Sequence, residues 1–366
     1  MSLRSLHRGV KANRLNRDVN AALDERAFAC RKRRWYKQIN LTVAQVQLKG
    51  EGQLRAGTHA LSLLATPLNA QILQALTEGP VALADLRVAA GVPPPTTMRM
   101  HLRALSEAGI LERRQQREFP SPVEYELTRA GRDLLAVARA LEDWLKTSPQ
   151  GPVEFGSNVA KSSTKALADG WSSGIVRALA SRPLALTELS RLISNLSYPS
   201  LERRLGAMRV AGLVERGSAN GRGRPYEISR WLRLASTPVA AAARWERKYL
   251  QDQTPPIRRL DIEAAFLLVL PLVSLSEGPS GVCRLAVDTS RGSQHRQAGV
   301  LVQIQGGRMS NCVTRLEGSV DASAAGSASA WMSAVSRGSA SRLDLGGNRE
   351  LARALVEGIH RALVAT

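Results

Sequence analysis

The chain has 366 residues, too many for one ordinary core and enough for two to four domains. Its formal net charge of +20 and pI near 11.0 favour a polyanionic partner, nucleic acid ahead of a membrane surface. Three cysteines (Cys30, Cys283, Cys312) form neither a disulfide framework nor a metal-ligand spacing, and the longest apolar run, Ala264–Leu275, contains Pro271 and falls far short of the ~20 residues of a membrane span.

These features, with a basic opening that lacks the apolar core of a secretory signal, lead us to expect a reduced, cytoplasmic setting without membrane association. A genome rich in arginine codons is a competing source of the same charge.

Residues 1–53 form a basic segment expected to be disordered, with 12 Lys/Arg against 3 Asp/Glu in the first 50 positions. Arg31-Lys-Arg-Arg34 followed by Trp35-Tyr36 suits an arm that enters a DNA groove. A floppy tail, or a start codon placed too early, accounts for the same composition.

Between 54 and 150 the patterning is dense. Leu61, Leu64, Leu68, Ile72 and Leu76 recur at three- and four-residue steps and predict one helix, ended by Gly79-Pro80. Leu83, Leu86 and Ala89 mark a short second helix closed by Gly91. Pro93–Pro95 form a turn, and Thr96-Thr97 offer a hydroxyl cap for a third helix. Its buried stripe is Met98, Leu102 and Leu105, and Gly109 is placed to stop it. Ile110–Arg114 and Val123–Thr128, on either side of Phe119-Pro-Ser-Pro122, read as a β-hairpin. A closing helix follows from Arg129 to Lys146. Three helices, a hairpin and a final helix is the winged helix-turn-helix order.

After a linker expected near Ser148–Ser163, the pattern recurs over 160–252. Leu76, Pro80, Leu86, Leu102, Gly109 and Arg113 meet Leu179, Pro183, Leu189, Leu205, Gly212 and Arg216 at an offset of 103 residues. The offset then falls to 101, so Tyr125 and Trp144 meet Tyr226 and Trp245. A slip between two fixed registers places the length difference in a loop. The predicted fold class is therefore mostly α with small hairpin wings, in two tandem copies. A linker at Gln251–Pro256 leads to an α+β region over 258–366.

A helix that enters the major groove buries one face and presents the other to base edges and phosphates. The Met98/Leu102/Leu105 stripe leaves Thr96, Thr97, Arg99, Met100 and Arg103 as the outward set. In the second copy the outward set is Ser197, Tyr198, Ser200, Glu202 and Arg203. Arg99 and Arg203 are candidate guanine readers or phosphate clamps, with an ordinary solvated helix charge as the alternative. Glu202 is a candidate cytosine reader or a local ion-pair partner. Arg222 and Arg224, spaced by glycines at the second hairpin tip, suit a narrow groove or a pair of phosphates. The two outward sets differ at nearly every position, which predicts an asymmetric or pseudo-symmetric DNA site.

Leu102-Arg-Ala-Leu-Ser-Glu-Ala-Gly-Ile-Leu-Glu-Arg-Arg114, Pro122-Val-Glu-Tyr-Glu-Leu-Thr-Arg-Ala-Gly131 and Leu141-Glu-Asp-Trp144 resemble the HxlR-type, MarR-like winged-helix regulators over roughly residues 57–146. The second copy is similar more loosely over 164–250, where Ile228-Ser-Arg-Trp231 replaces the family's Leu-Thr-x-x-Gly ending. The resemblance implies double-stranded DNA as partner. Family members commonly dimerise through terminal helices, so it also implies a dimer fused into one chain, present as a monomeric pseudo-dimer or a homodimer.

In the last region Val282–Asp288, Gly299–Gln305 and Arg308–Thr314 read as strands, Leu316–Ala322 as a further candidate and Ser341–Leu345 as another. Ser327–Val335 and Asn348–Val364 read as helices, the latter entered through Gly346-Gly347. Trp331, Gly338, Leu343-Asp-Leu-Gly-Gly-Asn348 and Leu351-Ala-Arg-Ala-Leu355 are similar to sterol-carrier-type lipid-binding domains. That resemblance implies a sheet covered by helices around an apolar cavity, a pocket for an apolar small-molecule effector. A packed spacer or dimerisation domain is the alternative. Cys283 and Cys312 are expected on strands that could neighbour each other, as buried structural thiols or a redox pair.

His7, His59, His101, His295 and His360 are scattered, and no P-loop, nucleophile elbow or metal cluster appears. We therefore expect no enzyme, no catalytic residues, no metal and no cofactor. The leading expectation is a one-component transcriptional regulator. The alternative is a winged-helix interaction or architectural scaffold with a lipid-carrier-like C-terminal domain.

Overall fold

The computed structural model describes residues 56–115, 123–170, 173–193, 196–217, 224–250, 257–276, 278–289 and 296–364. The expected basic arm, the tip of the first hairpin with Phe119–Pro122 and the linker at 251–256 lie outside these residues.

The single helix expected over Leu61–Leu76 is two, α1 (Thr58–Leu64) and α2 (Pro67–Ala75). Pro67 cannot donate an amide hydrogen back into α1, and it holds Thr66 in extended backbone at φ −86° and ψ 113°. The periodic face survives the break, because Leu61, Leu64, Ile72 and Leu76 are all buried. Next come β1 (Val81–Ala82), α3 (Leu83–Ala89), α4 (Pro95–Glu107), β2 (Leu111–Gln115), β3 (Val123–Leu127) and α5 (Arg129–Lys146). The three strands pair antiparallel in the order β1-β3-β2, with Val81 and Arg113 on opposite sides of Tyr125.

The following segment contains α6 (Asn158–Gly170), α7 (Ser173–Ser181), α8 (Leu186–Leu192), α9 (Tyr198–Val210), β4 (Val214–Arg216), β5 (Tyr226–Ile228), α10 (Arg230–Leu234) and α11 (Ser236–Tyr249). Because α6 starts at Asn158, the connection is shorter than the expected Ser148–Ser163 linker. Both ends of α8 and α9 fall 103 residues after those of α3 and α4. The bridge from Leu184 to Tyr226 repeats that from Val81 to Tyr125. Thr128 Oγ1 accepts from Gly131 N and Ser229 Oγ accepts from Leu232 N, each at 3.1 Å, so one hydroxyl cap opens both closing helices.

Gly131 and Leu232 mark the main departure. A Cβ at Gly131 would lie 2.3 Å from the Ile110 carbonyl oxygen, an approach closed to any larger residue. The second segment carries Leu232 at this position, and its closing helix is interrupted at Ala235.

The two segments meet through α5 against α11 and α1 against α6. Trp144 Nε1 donates to Trp231 O at 2.9 Å, and Trp245 Nε1 donates to Ala130 O at 2.8 Å. Under the 101-residue offset, Trp144 corresponds to Trp245 and Ala130 to Trp231. The contact is thus the same in both directions, as at an isologous dimer interface. One-sided contacts are laid over this symmetry. Buried Glu246 accepts from Gly57 N at 2.5 Å and Ala60 N at 2.9 Å, capping α1 from the other segment. The matching position in the first segment is Leu145.

The remainder comprises α12 (Arg259–Val269), a 3-10 turn at Leu270–Leu272, β6 (Gly281–Asp288), β7 (Gln297–Gln305), β8 (Arg308–Val313), β9 (Ala322–Ser327), α13 (Ala328–Arg337), β10 (Asp344–Gly347) and α14 (Arg349–Val364). The five strands run in the order β10-β9-β6-β7-β8, with β6 and β9 parallel and the other neighbours antiparallel. Two sequence expectations are corrected here. The strand expected at Leu316–Ala322 begins only at Ala322, because Leu316–Val320 is irregular. Gly346 and Gly347 close strand β10 and lead into α14, where Asn348 Oδ1 accepts from Leu351 N. Cys283 and Cys312 are not on adjacent strands: β7 lies between them, with Val302 opposite each. Burial pushes the Cys283 thiol up to about 12, against the opposing pull of the neighbouring Arg284 charge, and raises that of Cys312 as well.

Helix α12 explains the long apolar run. One side faces β7, and the other meets α7 and α10 of the second segment. A helix covered on both sides is apolar all round. Its buried Glu263 accepts from Arg259 Nε at 2.6 Å and pairs with Arg177 of α7, whose Nη2 also reaches Thr314 Oγ1 at 3.1 Å. Buried Arg233 of α10 donates to Leu267 O at 2.9 Å. The second segment is thereby joined to the C-terminal region by buried charged groups with satisfied hydrogen bonds.

Candidate nucleic-acid interface

Helix α4 is built by two prolines and one apolar stripe. Pro94 is the N-cap and Pro95 the first helical residue, with its φ already set for the helix. Thr96 and Thr97 therefore lie inside the first turn, and no side chain caps it, contrary to the expected hydroxyl cap. Met98, Leu102 and Leu105 are buried, and Gly109 at φ +68° ends the helix. This seats one face on α2 and β2 and turns the other outward.

Thr96, Arg99, Met100 and Arg103 are exposed on that outer face, and Thr97 is half-buried. Arg103 Nε donates to Glu107 Oε1 at 2.7 Å in an exposed ion pair. The four-residue spacing to Glu107 is a signal present in the sequence, although Glu107 is absent from the expected set. Such a pair is easily exchanged for a phosphate, since exposed pairs contribute only about 0–1 kcal/mol. His101 is turned inward, with Nδ1 2.8 Å from Asn69 Oδ1, and Asn69 Nδ2 donates to Leu63 O at 3.0 Å. It orients α4 against the preceding helices.

The turn before α4 is tightly held. Val92 N donates to Arg87 O at 2.9 Å and Arg87 Nε donates to Pro93 O at 3.0 Å. Val92 adopts φ +54°, the left-handed region that a β-branched residue avoids. Val88, Val92 and Met100 are large apolar side chains exposed around this turn.

Helix α9 has the same construction. Leu201, Leu205 and Met208 are buried, Ser197 is the N-cap, and Gly212 at φ +74° follows the end. Ser197, Tyr198, Glu202 and Arg203 are exposed, and Ser200 is half-buried like its counterpart Thr97. Ser197 Oγ bonds Ser200 Oγ at 2.9 Å. Arg216 of β4 lies over the Tyr226 ring, 5.3 Å from its centre, and its Nη2 donates to the tyrosine hydroxyl at 2.9 Å. Arg224 is exposed at the start of the second hairpin's return. Arg222 lies outside the described residues. In the first hairpin Arg114 meets Glu126 at 2.5 Å, so part of its cationic charge is balanced locally.

Among the described residues no group of three His, Cys, Asp or Glu side chains is placed to hold a metal ion. Among the same residues no helix is long and apolar enough to cross a membrane.

No curated protein matches the chain. The family model described as HxlR-like helix-turn-helix matches residues 64–150, from the end of α1 through α5. This part of the chain is therefore an HxlR-like helix-turn-helix domain, the kind of module used by DNA-binding transcriptional regulators.

Proposed function

We propose that the chain is a one-component, non-enzymatic transcriptional regulator that reads double-stranded DNA with both segments. In this reading the second segment is a second winged helix, and the two form a pseudo-dimer within one polypeptide. The C-terminal region senses an apolar small molecule.

The observation that carries the reading is the helix-turn-helix at 64–150, whose α4 turns Thr96, Arg99, Met100 and Arg103 to solvent from a rigid, buried stripe. The reciprocal contacts from Trp144 to Trp231 and from Trp245 to Ala130 support a built-in twofold arrangement of α4 and α9. The unlike outer faces, Arg99 and Met100 against Glu202 and Arg203, support an asymmetric operator. So does the attachment of α7 and α10 to α12, which gives the second segment a linking role.

Selection of DNA by the full chain from a random pool, followed by footprinting at several salt concentrations, tests this directly. The expected outcome is a bipartite, non-palindromic site whose affinity falls steeply with salt. A strict palindrome bound by one chain would remove the asymmetric reading. Absence of salt-dependent DNA binding would replace regulation with a scaffold role.

A further inference from the structure

A cavity of about 520 Å³ opens where the closing helices of the two segments meet the C-terminal region. The sterol-carrier resemblance implies an apolar cavity within the last region, whose sheet is covered by helices. This one lies instead between α5 and α11 on one side and α12, α13 and α14 on the other. Its volume falls in the range of about 300–1,000 Å³ typical of small-molecule sites.

Two observations indicate what it holds. The first is Ala265. From Ile262 to Leu270 every residue of α12 and the turn after it is buried except Ala265, which is exposed and lines the cavity. Solvent enters here, deep in an apolar junction, across a wall shared with Ala240, Met332 and Ile359. The second is the charge at the mouth. Asp143 and Asp261 line the cavity, but each already has a cation, Lys146 at 3.4 Å and Arg258 at 3.2 Å. Arg244 also lines it, and among the described residues it has no carboxylate partner. Its guanidinium donates instead to Ser336 Oγ of α13, joining α11 to α13 across the opening.

We propose that this cavity binds an apolar monocarboxylic acid, with the carboxylate on Arg244 and the hydrocarbon body beside Ala240, Ala265 and Met332. An apolar wall with one uncompensated guanidinium selects a ligand that combines the two, because a carboxylate takes a charge-assisted pair of hydrogen bonds that Ser336 cannot match. The ligand's carboxylate would replace Ser336 on Arg244 and so change how α11 is held to α13. The proposal deepens the sensing role above and rests on it only for the consequence on DNA. The site itself is tested without DNA, so the two readings fail separately.

Isothermal titration of the full chain with decanoate and with 1-decanol, both below their aggregation limits, is the experiment. Decanoate should bind once per chain and about tenfold more tightly than decanol. Arg244→Met should bring decanoate down to the level of decanol and leave decanol unchanged. Ala265→Phe, which fills the cavity, should abolish both. Ala240→Phe, at an exposed position of α11, does the same job if the first variant fails to fold. Absence of decanoate binding, equal affinity for acid and alcohol, or undiminished binding in a folded cavity-filling variant would each overturn the proposal.

Discussion

The indole N–H of Trp144 donates to the backbone carbonyl of Trp231, and the indole N–H of Trp231 donates back to the carbonyl of Trp144, at 2.9 and 3.0 Å. Their rings stack with centroids 4.2 Å apart and planes 8° from parallel. One pair of side chains thus removes two donors and two acceptors from solvent while burying both ring systems. With Trp245 on Ala130 O, three of the four tryptophan-to-carbonyl bonds that two such pairs could form are present; the fourth is missing because position 130 is an alanine.

Removing either ring should therefore cost far more than its share of area. Trp144→Ala and Trp231→Ala are each expected to destabilise the chain by about 3–5 kcal/mol. The double variant should lose at least about 1 kcal/mol less than the sum, because the second truncation removes a partner already gone. Denaturant unfolding of the four proteins reads this coupling. Additive losses would mean that the stack is incidental.

The exposed arginines of α4 should control affinity through charge. Arg99→Ala with Arg103→Ala is expected to weaken DNA binding and to reduce the slope of log affinity against log salt by roughly 0.9 for each phosphate that is no longer neutralised. Glu107→Gln, which releases Arg103 from its ion pair, should strengthen binding. Fluorescence anisotropy across a salt series separates these effects. An unchanged slope in the double variant would assign phosphate binding to α9.

Gly131 should tolerate no side chain. The 2.3 Å approach to the Ile110 carbonyl leaves no room for a methyl group, so Gly131→Ala is expected to cost about 1–3 kcal/mol by forcing α5 away from the strand it follows. A melting temperature equal to that of the unaltered chain would show that α5 can shift without loss.

Val92 should behave in the opposite way. It is 57% exposed and holds φ +54°, so it loses backbone energy without gaining burial. Val92→Gly is expected to raise stability by about 0.5–1 kcal/mol. Thermal unfolding shows the sign, and a decrease would mean that packing of the isopropyl group outweighs the backbone strain.

Asp133 links stability to acid. A hydrogen bond from Lys248 and then one from Tyr249, both at 2.5 Å, hold its carboxyl below the ordinary aspartate value. The stabilisation is complete above about pH 4 and is lost as pH falls through the depressed value. The side chain is 43% exposed, so screening keeps the gain to about 1 kcal/mol or less. Asp133→Asn should be less stable than the unaltered chain at pH 7 by that margin. The difference should close in acid, which urea titrations at pH 7 and pH 3 compare.

The local framework of the molecule is legible in residue order. Three- and four-residue spacings mark the buried stripes Met98/Leu102/Leu105 and Leu201/Leu205/Met208, glycines at 109 and 212 mark the helix ends, the offset of 103 aligns α3 and α4 with α8 and α9, and the offset of 101 aligns Trp144 with Trp245. These features depend on neighbours a few residues apart, so the chain carries them in its own order. That order misleads where one local rule overrides another, as when Pro67 splits a continuous apolar face and Pro95 begins a helix ahead of the two threonines. What covers each face is settled at the tertiary level alone. The meeting of Trp144 with Trp231, the burial of Glu246 over α1, the enclosure of α12 on both sides and the cavity beside Arg244 join residues that are far apart in the chain. Hydrophobic periodicity states that a face is buried but carries no information on its partner, because burial is non-directional. Partner choice is set by shape and hydrogen-bond geometry that exist only once the chain has closed.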